Sequence, residues 1–283
     1  MTVDEGSGVT DEEASNGDRS PARRVPVDRP TPALSPKAVI KRIVGVERRH
    51  LVALAALFAL AALLTSVPAL ALAPAGAPAA DPGSVLERAI ANFAGGVVIL
   101  VVSVVVNGVA YVAGAVLAWR ALRGVPPTDL GTEVATALGQ GMRRAGDAIV
   151  ALFLVGVAVA LGLVLLVVPG IILAVAFSVV FPVLALEGLG AVESIRRSLD
   201  LTRGNRMKLF LVFLALAVAH AGVALLAGIV SLAAGPAAEF FATVITAAVM
   251  MPFWVLAATL VYGRLAGVAR GTGFEPTPGV VPV

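Results

Sequence analysis

Six stretches of this chain contain no Asp, Glu, Lys or Arg: Leu51 to Ala73, Ala94 to Ala118, Ala148 to Val168, Ile171 to Leu186, Leu209 to Leu232 and Phe240 to Tyr262. A helix rises about 1.5 Å per residue, so about 20 apolar residues cross a hydrocarbon layer about 30 Å thick. Five stretches reach that length. The fourth reaches it when Pro169 and Gly170 extend it at one end and Glu187 to Leu189 at the other. A soluble domain of this size has one core, which cannot hide six helices that are apolar on every face. Of the 283 residues, 59% are hydrophobic and 14% charged; soluble domains carry about 25% charged residues. The expected fold is therefore all-α: a polytopic membrane protein with six transmembrane helices and two short cytoplasmic amphipathic helices.

The basic residues set the expected orientation, because Lys and Arg near span ends are retained in the cytoplasm. The tail before Leu51 holds nine of the 21, the second connection Arg120, Arg123, Arg143 and Arg144, and the fourth Arg196, Arg197, Arg203, Arg206 and Lys208. Arg264 and Arg270 follow the last span, and the three odd-numbered connections hold only Arg88. This asymmetry predicts a multi-pass protein of the cell (cytoplasmic) membrane with both termini cytoplasmic. Residues 1–48 read as a cytoplasmic tail, disordered to about residue 36 for want of apolar runs, and not as a signal peptide. Residues 49–265 form the six-helix membrane domain, and 266–283 a short cytoplasmic tail. Trp119 and Tyr262 fall at inner span ends and Phe93, Phe240 and Phe241 at outer ends, whereas Tyr111 lies inside the second span and needs a partner there.

Two connections carry helical patterns. After Pro126 and Pro127, Thr128 and Asp129 are candidate N-caps for a helix with Leu130, Val134, Leu138 and Met142 on one face, closed by Arg143 and Arg144 with Gly146 as C-cap. The other places Leu189, Val192, Ile195, Leu199 and Thr202 on one side and Glu193, Arg196, Arg197 and Asp200 on the other, ending at Arg203-Gly204-Asn205. Gly146-Asp147 and Gly204-Asn205 stand 58 residues apart, a hint of internal duplication. Two cytoplasmic loops of a six-span protein can also look alike without one. Pro68, Pro182 and Pro252 are expected to bend or break their helices.

Little in the spans suggests reactive chemistry. There is no cysteine, and the two histidines are His50 and His220. No metal-ligand cluster, phosphate-binding glycine loop or nucleophile turn is present, so no cofactor and no enzymatic activity is expected. The arginines act as topology determinants, which argues against nucleic acid. Asn107 and His220, each near the middle of its span with Ser103, Ser178, Thr243 and Thr246 around them, form the candidate intramembrane polar site if they share a cavity; otherwise they are interhelical hydrogen-bonding groups. Glu187 and Glu193 read first as ion-pair partners of neighbouring arginines.

The stretch Pro169-Gly170-Ile171, Phe181-Pro182 and Glu187 through Asn205 resembles the membrane domain associated with bacterial glycerophosphoryl diester phosphodiesterases and related six-span, YciC-like prokaryotic families of unknown function. Arg197-Ser198, Leu201 and Gly204 fill the family pattern, while Ser194 stands where alanine is expected. The resemblance covers about 40 residues. It implies a stand-alone membrane domain lacking the soluble barrel that carries phosphodiesterase chemistry in fused members.

The expected role is structural or regulatory. Arg196, Arg197, Arg203, Arg206 and Lys208 would contact anionic phospholipid headgroups of the bilayer, or a protein partner at the cytoplasmic loops. One alternative is a transporter or channel for a small or lipid-like solute, with Asn107 and His220 on the path. A lipid-modifying enzyme using Glu187 or Glu193 ranks last. Nothing in the sequence specifies a homo-oligomer.

Overall fold

The computed structural model describes residues 36–71, 82–234 and 236–269. The tail expected to be disordered over residues 1–35, the connection 72–81 with Leu72 and Ala73 of the first apolar stretch, and residues 270–283 lie outside them. Among the described residues there are ten helices and no strand: α1 (Pro36–Val44), α2 (Arg48–Ala71), α3 (Pro82–Leu122), α4 (Leu130–Arg143), α5 (Ala145–Leu165), α6 (Val167–Ala176), α7 (Val180–Glu187), α8 (Ala191–Thr202), α9 (Arg206–Ala234) and α10 (Pro236–Ala269).

Six segments are long and apolar enough to cross a bilayer: Arg48–Val67, Ile90–Leu122, Ala145–Leu165, Val167–Glu187, Arg206–Ala234 and Ala238–Gly267. Each coincides with one of the six uncharged stretches. The protein is an all-α, multi-pass membrane protein. Helices α2, α3, α9 and α10 share one core, in which Leu54, Leu117, Leu209 and Leu256 are fully enclosed. Helix α5 pairs with α6 and leans on α3.

Three features differ from the sequence expectation. First, the tail drawn to residue 48 ends in a packed helix. In α1, Val39 and Ile43 stand one turn apart and are both buried against the bundle, because a stripe at this spacing gives even a nine-residue helix an apolar face.

Second, the fourth span is two helices. The chain leaves helical geometry over Phe177, Ser178 and Val179 and resumes at Val180. Of the two outcomes expected at Pro182, a bend or a break, the structure shows the break, with Pro182 in the first turn of α7. A proline costs least there, because first-turn N–H groups have no intrahelical partner to lose. The preceding reversal is also tighter than expected: Leu166 alone, in an extended conformation, separates α5 from α6, and Pro169 and Gly170 belong to the first turn of α6. A Cβ added to Gly162 would meet Gly170 Cα at 2.9 Å, and one added to Gly170 would meet Leu163 N at 2.6 Å. The two backbones come together only because both positions lack a side chain.

Third, the amphipathic helices bury faces smaller and more polar than their apolar stripes. Helix α4 buries Glu133 with Ala137 and Gly141, which flank the stripe; Val134 and Leu138 pack partly on the core, while Leu130 and Met142 are exposed. A Cβ at Gly141 would lie 2.7 Å from Val109 O, so α4 lies flush on α3. Helix α8 buries Ala191, Ser194, Ser198, Leu201 and Thr202, and Val192 is exposed. The caps also diverge. Gly146 lies inside α5, whose junction with α4 is Arg144, whereas Gly204 takes the left-handed conformation (φ 84°) just after α8. The two glycines at the 58-residue offset are thus not equivalent in backbone geometry.

Candidate functional site

The break in the fourth span exposes carbonyls that an intact helix would satisfy, and α8 supplies donors for one of them. Ser198 Oγ donates to Ala176 O at 2.7 Å, and Thr202 Oγ1, whose nearest acceptor is Ser198 O at 2.9 Å, lies 3.4 Å from the same Ala176 oxygen. These hydroxyls are fully buried, which accounts for a face of α8 that is small and polar instead of aliphatic. Irregular backbone at membrane depth is tolerated where protein or a cavity surrounds it, and here both do.

A cavity of about 630 Å³ opens beside the break, between α3, α6, α7, α9 and α10. This lies within the range of roughly 300–1,000 Å³ of small-molecule sites. Two aromatic pairs wall it. Tyr111 stacks on Phe181 with centroids 5.0 Å apart, and Phe213 lies nearly parallel to Trp254 at 5.8 Å. Ala174, Ala217 and Ala258 keep the intervening space open.

Three polar groups interrupt the apolar wall. Trp254 Nε1 donates to His220 Nδ1 at 3.1 Å, so a neutral His220 ring carries its proton on Nε2. That nitrogen has no partner among the described residues. Ser178 Oγ, at the break itself, is shielded and has no hydrogen-bond partner among the described residues. The Tyr111 hydroxyl reaches Met251 Sδ at 4.0 Å, a weak acceptor. The lining contains no charged side chain. An apolar volume with a few neutral donors suits an uncharged or weakly polar amphipath and is poorly suited to a metal ion or a carboxylate-coupled cation.

Asn107 and His220 do not share a cavity, and for His220 the alternative reading, an interhelical hydrogen bond, is what the structure shows. Asn107 Nδ2 donates to Ser103 O, one turn back in its own helix, at 2.8 Å, and Asn107 does not line the cavity. A polar residue in an apolar helix most cheaply bonds a preceding carbonyl of that helix. His220 found Trp254 instead.

The five basic residues proposed for lipid or partner contact do not act alike. Arg197 is paired with Glu187, Nε to Oε2 at 3.2 Å, and Tyr262 donates to Glu187 Oε1 at 3.0 Å. Arg206 is half-buried, while Arg196, Arg203 and Lys208 are exposed. The reading of Glu187 as an ion-pair partner therefore agrees with the structure; Glu193 is exposed, and among the described residues no ion pair involves it. Arg144 donates to Gly188 O at 2.8 Å, beside a left-handed turn at Gly188, and so ties the α4–α5 junction to the end of the fourth span.

Another buried polar contact escaped the sequence reading. His50 Nε2 bonds Val125 O at 3.0 Å, and its Nδ1 lies 3.7 Å from Glu133 Oε1, both side chains being almost wholly enclosed. Glu133 Oε1 also accepts from Thr128 N at 3.4 Å. This contact docks α4 on the start of α2. Asp129 caps α4 as expected, accepting from Thr132 N at 2.9 Å, and the backbone hydrogen bond from Thr132 holds its carboxyl below the ordinary range.

Sequence reasoning grouped Ser178 with the mid-span polar residues around Asn107 and His220, but missed Trp254 as a cavity residue and left Tyr111 without a partner. The available signal was an aromatic, a hydroxyl and a histidine on different spans, and no spacing rule places such residues opposite one another. Comparison of the chain with protein-family models, with curated proteins and with solved structures finds no match.

Proposed function

We propose that this protein is a carrier for a lipid-like amphipathic solute, held in the cavity beside the broken fourth span. The observation that carries this reading is the gathering of His220 Nε2, Ser178 Oγ and the Tyr111 hydroxyl on one apolar, aromatic-walled space within the spans. Hydrocarbon of the solute would lie against Phe213, Trp254 and Phe181, and a hydroxyl or ester oxygen would take the histidine N–H. Discontinuous helices at mid-membrane recur in carriers, where the broken segment supplies polar backbone to the substrate. This replaces the structural or regulatory role as the preferred reading. It keeps the protein non-catalytic, takes both termini as cytoplasmic on the arginine asymmetry, and is compatible with the resemblance to the phosphodiesterase membrane domain.

The test is transbilayer movement of a fluorescent single-chain lipid in vesicles containing the purified protein. The expected result is a rate above that of protein-free vesicles, reduced severalfold by Ala217→Phe, which fills the cavity, and by His220→Leu. A rate equal to protein-free vesicles, or insensitive to both substitutions, contradicts the proposal.

A further inference from the structure

A second recess lies where the ends of α1, α3 and α10 meet, with a volume of about 400 Å³ and a lining of Arg42, Leu122, Arg123, Leu260 and Arg264. Helix α3 stops at Leu122, and the turn that follows satisfies the carbonyls of Trp119, Arg120 and Ala121 through the N–H groups of Arg123, Val125 and Gly124, leaving Leu122 O to a side chain. Arg42 donates to Leu122 O at 3.3 Å, which fixes one edge of its guanidinium and leaves other N–H groups directed elsewhere. The Arg123 guanidinium lies 5.7 Å from the centre of the Trp119 ring. Arg264 follows Leu260 by one turn of α10. Among the described residues, neither Arg42 nor Arg123 has a carboxylate within ion-pair distance.

Arg42 and Arg123, neither with a carboxylate at ion-pair distance among the described residues, stand at one small recess with Arg264, and an anion held there would offset their repulsion. Their planar, multi-donor geometry matches the oxygens of a phosphate better than it matches a single carboxylate oxygen. We propose that this recess is a binding site for a phosphate-bearing anion, held by Arg42, Arg123 and Arg264. The surroundings favour a lipid headgroup as its source. Trp119 and Tyr262, with centroids 6.1 Å apart, mark the depth at which amphipathic aromatics meet headgroups, and Leu122 and Leu260 offer an apolar floor for the glycerol end of the lipid. The site is separate from the cavity beside α6 and α7 and stands without the carrier reading.

The experiment measures binding to the full chain in a non-ionic detergent with three probes: a short-chain phosphatidylglycerol, the matching diacylglycerol without phosphate, and inorganic phosphate. Arg123→Gln is the main variant, because the Arg123 side chain makes no hydrogen bond among the described residues and its loss leaves the fold alone. Arg196→Gln, exposed on α8, is the control. The expected result is saturable binding of phosphatidylglycerol, no binding of diacylglycerol, and an affinity reduced about tenfold by Arg123→Gln but unchanged by Arg196→Gln. Inorganic phosphate binding with the same Arg123 dependence would support the phosphate site and make a soluble anion its source. No phosphate-dependent binding, or an equal loss in both variants, would overturn the proposal.

Discussion

The Ser198 hydroxyl and the Ala176 carbonyl oxygen, 2.7 Å apart and fully buried, join an amphipathic helix to the break in a membrane span. The fourth span can be discontinuous because a neighbouring helix takes up the hydrogen bonding its own backbone gives up.

Ser198→Ala leaves Ala176 O with only the longer contact from Thr202. A buried acceptor deprived of its partner costs about 1–3 kcal/mol. Thermal unfolding in detergent is expected to show a lower midpoint for Ser198→Ala, and a larger drop for Ser198→Ala with Thr202→Val. An unchanged midpoint in the double variant would mean that the break is stable without α8.

The α5–α6 reversal predicts opposite outcomes for two glycines. Gly170→Ala drives a methyl into the Leu163 backbone, an overpacking expected to cost about 1–3 kcal/mol. Gly156→Ala, in the middle of α5 with nothing within 4 Å of the added methyl, is expected to be neutral or slightly stabilising through helix propensity. Paired melts of the two variants compare these outcomes directly.

Asp129 gives a pH dependence with a definite sign. Its folded carboxyl titrates below the unfolded value because the Thr132 N–H favours the ionised form. The cap therefore contributes in full above the unfolded value and is lost as pH falls through the folded one. The protection of the Thr132 amide, measured as its exchange rate relative to the intrinsic rate at each pH, is expected to fall as pH drops through the folded value of Asp129. Asp129→Asn, whose amide oxygen caps without titrating, should show no such loss of protection.

Most of the architecture was legible in the sequence for a single reason: an uncharged stretch about 20 residues long has few places to go but a bilayer. The caps at Asp129 and Gly204 were legible too, because they depend on one residue and its neighbours. What could not be read depends on contacts between distant parts of the chain. Helix α8 turned its serines inward because an unpaired carbonyl waited in α6, and α4 turned Glu133 inward because His50 stood at the start of α2. The pairing of Asn107 with His220 failed for the same reason, since equal depth in two spans says nothing about which faces meet. The cavity residues Tyr111, Ser178 and Trp254 come together only once α3 and α10 pack beside the break.

The central claim is that the space walled by Trp254 and His220 takes up an amphipathic molecule. Trp119→Phe leaves Trp254 as the only tryptophan, so its fluorescence reports from the cavity wall. Titrating this variant, in bilayers of unlabelled lipid, with a fatty alcohol brominated at mid-chain is predicted to give quenching that saturates at low mole fraction and is relieved by adding Ala217→Phe. Quenching that rises in proportion to the bulk brominated fraction, and is indifferent to Ala217→Phe, would contradict the account.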